Sequence, residues 1–108
     1  MAFESLGYAS QSLVTGTTTI DWPTDVRPYT AWLDLTGLVG CTLEFRLIVT
    51  MATGLVTAPV WYAGPLTVAA DTTGLSVPPW PSNGSTIQLE VELSAGTPNS
   101  IGWELFGL

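Results

Sequence analysis

Glu90 and Glu92 stand two residues apart in a run that alternates Ile87, Leu89, Val91 and Leu93 with Thr86, Gln88, Glu90, Glu92 and Ser94. On a strand, that spacing puts both carboxylates on one face, about 7 Å apart. Paired carboxylates can run glycoside hydrolysis or hold calcium. Nothing else in the sequence converges on this pair, so the expectation is a solvated strand face. Glu44 and Arg46 share a face in the same way. They are expected to pair across strands with Glu90 or Glu92, at under about 1 kcal/mol if exposed. Asp21 and Asp25 flank a proline loop, but their spacing lacks the alternate ligands and closing Glu of an EF-hand loop. Asp71-Thr72-Thr73-Gly74 reads as a turn whose Asp bonds its own backbone.

The remaining chemistry is sparse. The chain has no His, and its two cations are Arg27 and Arg46. Without imidazole there is no His base, His–metal site or His-based triad. Cys41 is alone, which excludes an internal disulfide and a thiolate cluster for zinc. It sits in an alternating apolar run and is expected to be a small buried hydrophobe. There is no nucleophile elbow and no glycine-rich phosphate loop. Asn83-Gly84-Ser85 matches a glycosylation acceptor but reads better as a tight turn. No cofactor and no metal are expected, and the reading is non-enzymatic.

Charge narrows the partners. The formal net charge is −7 over 108 residues, and only 10 % of residues are charged, against about 25 % in ordinary domains. An acidic chain with two cations cannot neutralise a phosphate backbone, so nucleic acid is not an expected partner. The same reasoning speaks against anionic membrane surfaces. The first residues lack a basic stretch followed by an apolar one, so no secretory signal is expected. No run is long and apolar enough for a membrane-spanning helix. Thr, Ser, Gly and Pro replace the missing charge. A surface so weakly ionic suggests cover by other subunits.

The elements that must carry these residues are strands. Residues 41–50 place Cys41, Leu43, Phe45, Leu47 and Val49 on one face and Thr42, Glu44, Arg46, Ile48 and Thr50 on the other. Residues 29–35 and 101–105 alternate likewise, and 17–21 is rich in β-favouring Thr. Residues 55–63 are apolar on both faces, and Pro59 within them argues for an edge or a bulge. Turns are expected at 51–54, 64–65 and 71–74. Shorter strands are expected at 66–70 and 75–77, with a long rigid loop over 78–85. Residues 3–13 show no clear period and read as an extended arm or a first edge strand. No stretch shows a sustained helical period with caps. The sum is a single all-β domain over 1–108, with 1–13 as a possible N-terminal arm. About eight short strands form an antiparallel β-sandwich of jelly-roll or Greek-key type.

Five Trp in 108 residues is a heavy aromatic load. Trp22 and Trp80 sit beside prolines in expected loops. Trp32, Trp61 and Trp103 sit in expected strands. Such rings plug the ends of a sandwich core, anchor interfaces, or stack on sugars. Trp32 falls opposite Leu33 and Leu35, which points it at an interface. For Trp22 and Trp80, plug and interface stand equal. The interface candidates are Phe3, Tyr8, Trp22, Trp32, Pro79 and Trp80. The alternative is a carbohydrate-binding module with Trp22, Trp80 and Trp32 as its platform.

The closing strands, residues 87–98 and 103–108, and the His-poor, Thr/Gly-rich make-up of the whole chain resemble the small all-β structural proteins of tailed bacteriophage virions. The likeness is one of style along the full length, with no specific motif. It implies a role in assembly: a capsid decoration, or cement, protein, or a minor neck or tail component. It also implies a homo-oligomer, with a trimer favoured, bound to the major capsid protein or another virion protein. The location it implies is the virion, after synthesis in the host cytoplasm.

Overall fold

A computed structural model describes residues 2–51, 54, 57–82 and 86–108. Among these, eight strands are defined: β1 (Glu4–Ser12), β2 (Gly16–Trp22), β3 (Arg27–Asp34), β4 (Thr42–Thr50), β5 (Thr57–Thr67), β6 (Gly74–Ser82), β7 (Thr86–Ala95) and β8 (Ser100–Gly107). A single 3-10 turn, Thr36–Leu38, links β3 to β4. The Asn83-Gly84-Ser85 turn and residues 52–53 of the turn expected at 51–54 lie outside the described residues.

The pairing is nested. β4 pairs with β5, β3 with β6, β2 with β7 and β1 with β8, all antiparallel. The chain therefore runs as one long hairpin folded back on itself. Two further pairings, β3 with β8 and β4 with β7, roll that ribbon up. The result is two four-stranded sheets, ordered β1-β8-β3-β6 and β2-β7-β4-β5. An eight-stranded sandwich wound this way is a jelly roll, which decides between the topologies the sequence left open.

The alternation read from the sequence builds the core. Leu43, Phe45 and Leu47 of β4 meet Ile87, Leu89, Val91 and Leu93 of β7 on the inner face of one sheet, all buried. Ala31 and Leu33 of β3 and Ile101, Trp103 and Leu105 of β8 line the other. Their opposite faces carry hydroxyls and carboxylates, as the period of two requires. Cys41 is buried, its thiol 3.4 Å from the Thr97 carbonyl.

Two expectations are corrected, and one left open is decided. The stretch 78–82 is not a loop but the second half of β6. That strand lies at the outer edge of its sheet, where prolines cost no ladder bond on the free side. The expected turn at 64–65 is absorbed into β5, one strand of 11 residues. Gly64 takes a φ of +108° there, and a Cβ on it would sit 2.6 Å from the Leu43 carbonyl oxygen, so the strand bends where only glycine fits. β5 is an outer strand too, and its register shifts beside Leu47 and Ile48, where Pro59 pairs. Of the two readings of residues 3–13, the first edge strand holds and the free arm does not. β1 is hydrogen-bonded to β8, yet all nine of its residues are exposed.

Candidate functional site

The outer face of the β1-β8-β3-β6 sheet gathers most of the exposed aromatic surface. Register builds it row by row. Tyr8 lies opposite Glu104, Glu104 opposite Trp32, and Trp32 opposite Ser76, so these four cross the sheet in a line. The next row is Ser10, Gly102, Asp34 and Gly74. On the other side stand Ser5, Phe106 and Thr30. The register shift in β6 leaves Pro78 and Pro79 between the core residues Val77 and Trp80, so both prolines are exposed beside Thr30. The Thr30 hydroxyl donates to the Val77 carbonyl at 2.6 Å and holds that bulge.

Glycines let the rings lie flat. A Cβ on Gly102 would collide with the Tyr8 ring, which reaches across β8 so that its hydroxyl donates to Asp34 Oδ2 at 3.0 Å. Gly74 gives Trp32 similar room, with ring atoms 3.8 and 3.9 Å from where its Cβ would be. Tyr8 is 63 % and Trp32 54 % exposed, and their backbones stand two strand spacings apart, about 10 Å. The polar groups between them are already engaged. The Ser5 hydroxyl donates to Glu104 Oε2 at 2.5 Å. Asp34 Oδ1 accepts the Thr36 hydroxyl at 2.6 Å and the Thr36 N–H at 3.0 Å. Those bonds, with that from Tyr8, hold the Asp34 carboxyl below the usual range, and the same Asp34 contact pushes the Tyr8 phenol up.

The six interface candidates therefore separate. Tyr8, Trp32 and Pro79 share this outer face. Phe3 is half-buried just ahead of β1. Trp22 and Trp80 are taken out of the set, because only 4 % and 3 % of their surface is exposed. Their rings stack at 5.1 Å, with Trp103 at 6.5 Å from Trp22 and Tyr29 at 6.0 Å from Trp80. They plug the end of the core where the ribbon crosses between sheets near 23–26. The sugar platform of Trp22, Trp80 and Trp32 is overturned with them, since two of its rings are inside. Both buried indole N–H groups lack a hydrogen-bond partner among the described residues. The sequence reading missed Asp34, Glu104 and Phe106. Their signal was present: each falls at an outward position beside an inward Leu33, Trp103 or Leu105.

The carboxylate pair lies on the other sheet. Arg46 stands opposite Glu90 at 3.9 Å and 4.0 Å from Glu44 on its own strand. Glu92 is opposite Glu44. The Tyr62 hydroxyl donates to Glu44 Oε2 at 2.9 Å, and the Arg46 guanidinium sits over the Tyr62 ring. This is the cross-strand pairing the sequence anticipated; Glu44, Arg46, Glu90 and Glu92 line only a shallow depression of about 10 Å³, too small for a ligand. Asp21 and Asp25 are not brought together. Asp21 accepts from the Gln88 amide at 2.9 Å, while Asp25 pairs with Arg27 at 2.9 Å and accepts from the Tyr29 hydroxyl. Among the described residues, no group of three or more His, Cys, Asp or Glu is placed to hold a metal ion. An apolar cleft of about 200 Å³ opens between Leu35, Leu66, Val68 and Leu75, and it brings no titratable side chain together.

No family model matches the chain, and no curated protein matches it in sequence. Two solved structures are similar, both of infectious bursal disease virus. For the Gx strain the TM-score is 0.45 at 17 % identity, covering 99 % of this chain and 29 % of that one. For the Gt strain it is 0.37 at 19 % identity, covering 98 % and 28 %. The chain thus spans less than a third of either virus chain.

Proposed function

We propose that the protein is a non-enzymatic virion structural protein of the decoration, or cement, kind on a tailed-bacteriophage head. In this reading it works as a homo-oligomer and strengthens a shell through contacts with the major capsid protein. The observation that carries it is the outer face of β1-β8-β3-β6, where Tyr8, Trp32, Pro78 and Pro79 stand exposed on a rigid sheet. Aromatic anchors held flat over glycines lose little side-chain freedom on docking, and Trp and Tyr dominate the energetics of protein interfaces. The jelly-roll wrap is common to capsid and lectin domains, which is support by analogy of fold alone. A chain with few, scattered titratable groups and no His suits assembly better than catalysis.

Antibodies raised against the purified chain are expected to label the surface of intact particles from the source culture. In co-sedimentation with those particles, Trp32→Ala should weaken binding by about 30-fold or more, as loss of an anchor worth 2 kcal/mol does. Absence of the chain from purified particles by mass spectrometry overturns the proposal.

A further inference from the structure

The four outer strands of the two sheets are not equally protected. β5 carries Pro59 and Pro65 and two register shifts against β4. β6 carries Pro78, Pro79 and Pro81 and one register shift. β1 has a bulge between Ser5 and Tyr8, at the positive-φ Gly7. Prolines and bulges are the devices by which sheets refuse a further strand. β2 has neither: its seven residues pair with β7 in unbroken register, from Gly16–Leu93 to Trp22–Ile87. It opens on Gly16 at a φ of +95°, and from Thr17 to Trp22 its free side carries the unpaired backbone donors and acceptors of an edge strand.

We infer that β2 is the surface through which two copies of this chain associate, antiparallel, about a two-fold axis at Thr19. The sequence of the strand is complementary to itself in that register. Thr19 faces Thr19 of the second copy, Thr18 faces Ile20, Thr17 faces Asp21, and Gly16 faces Trp22. Each pair combines residues of one sheet face, so the inner and outer sides remain inner and outer. Facing β-branched residues favour strand pairing. Asp21 meets a hydroxyl, so no carboxylate in β2 opposes another, which matters for two bodies that each carry −7. The second copy is thus the occupant that fits by charge and register. Two β2-β7-β4-β5 sheets would join into one continuous sheet, an isologous contact. The symmetry is two-fold, where the phage resemblance implied a trimer.

The inference rests on the homo-oligomer part of the proposed function and not on its virion part. Seven residue pairs make a small interface, so association is expected on the order of 10–100 µM. Sedimentation equilibrium with three charge variants of exposed residues tests it. Thr19→Lys sets like charges face to face across the axis and should give a monomer. Thr17→Lys sets Lys against Asp21 of the second copy, twice, and should tighten the dimer several-fold. Val60→Lys, on the guarded β5 and 51 % exposed, should leave association unchanged. All three lower the net negative charge equally, so a general loss of repulsion would move them the same way. Opposite shifts for Thr19→Lys and Thr17→Lys, in folded protein by circular dichroism, support the assignment. A wild-type monomer up to about 0.5 mM, equal shifts in the two variants, or a dimer that survives Thr19→Lys overturns it. Particle labelling is read separately, so failure here leaves the virion reading standing.

Discussion

The sandwich has two side seams, and they are built by different rules. At one, β5 and β6 are stiffened by five named prolines, Pro59, Pro65, Pro78, Pro79 and Pro81, and by bulges that bend the strands away from any newcomer. At the other, β1 and β2 contain no proline, and β2 has no bulge. The first seam is closed by backbone geometry. At the second, β1 is clipped within its own sheet by Tyr8 reaching across Gly102 to Asp34, and the β2 edge is left without a proline or a bulge. A sandwich with few charges can block one side by backbone geometry and leave the other unblocked.

The end plug joins both seams, so damage there should be largest. Trp22→Ala or Trp80→Ala is expected to cost about 3–5 kcal/mol in urea unfolding, as large-to-small changes in packed cores do. Because the rings stack, the double variant should cost less than the sum. Next come two glycine substitutions that set one seam against the other. Gly64→Ala drives a Cβ into the Leu43 backbone at a positive φ and should cost about 2–4 kcal/mol. Gly102→Ala meets only the Tyr8 ring, which can swing out, and should cost about 1 kcal/mol, the worth of the lost hydrogen bond. Equal costs by chemical denaturation would erase the distinction between the seams.

Acid and alkali should reach the side-chain clip from opposite directions. The Asp34 carboxyl is depressed in the fold, chiefly by Thr36, so its contribution is present above the unfolded carboxyl's value and fades as pH falls through the folded one. The Tyr8 phenol is raised by Asp34, so its contribution is complete below the ordinary phenol value and fades as pH climbs past it. Thermal melts against pH should show Thr36→Val flattening the acid limb more than Tyr8→Phe does. Tyr8→Phe should flatten part of the alkaline limb. The smallest effect is expected from Arg46→Gln on the far sheet. Its ion pairs at 3.9 and 4.0 Å are exposed, and removing them should cost under about 1 kcal/mol.

Strands with one dry face were legible from the chain alone. β4, β7 and β8 announce themselves by alternation, and the opposition of Arg46 to Glu90 follows from it. β1 was left open between arm and edge strand because it is wet on both sides, so no period marks it. β6 escaped because proline reads as loop, and only knowledge of an outer position in the sheet reverses that. Trp22 and Trp80 were ambiguous for a different reason. They are far apart in sequence and meet only once the ribbon has rolled, so no local signal could place them inside. The interface candidates Tyr8 and Trp32 were visible singly, while the glycine floors that lay them flat belong to other strands.

The nested pairing also orders events in time. β8 lies between β1 and β3, yet of the eight strands it is the last to leave the ribosome. Until it arrives, the first-made strand has no neighbour to bond. β1 must therefore wait without its sheet partner while six other strands are made, and the sheet is completed by the latest of the eight sliding into the middle.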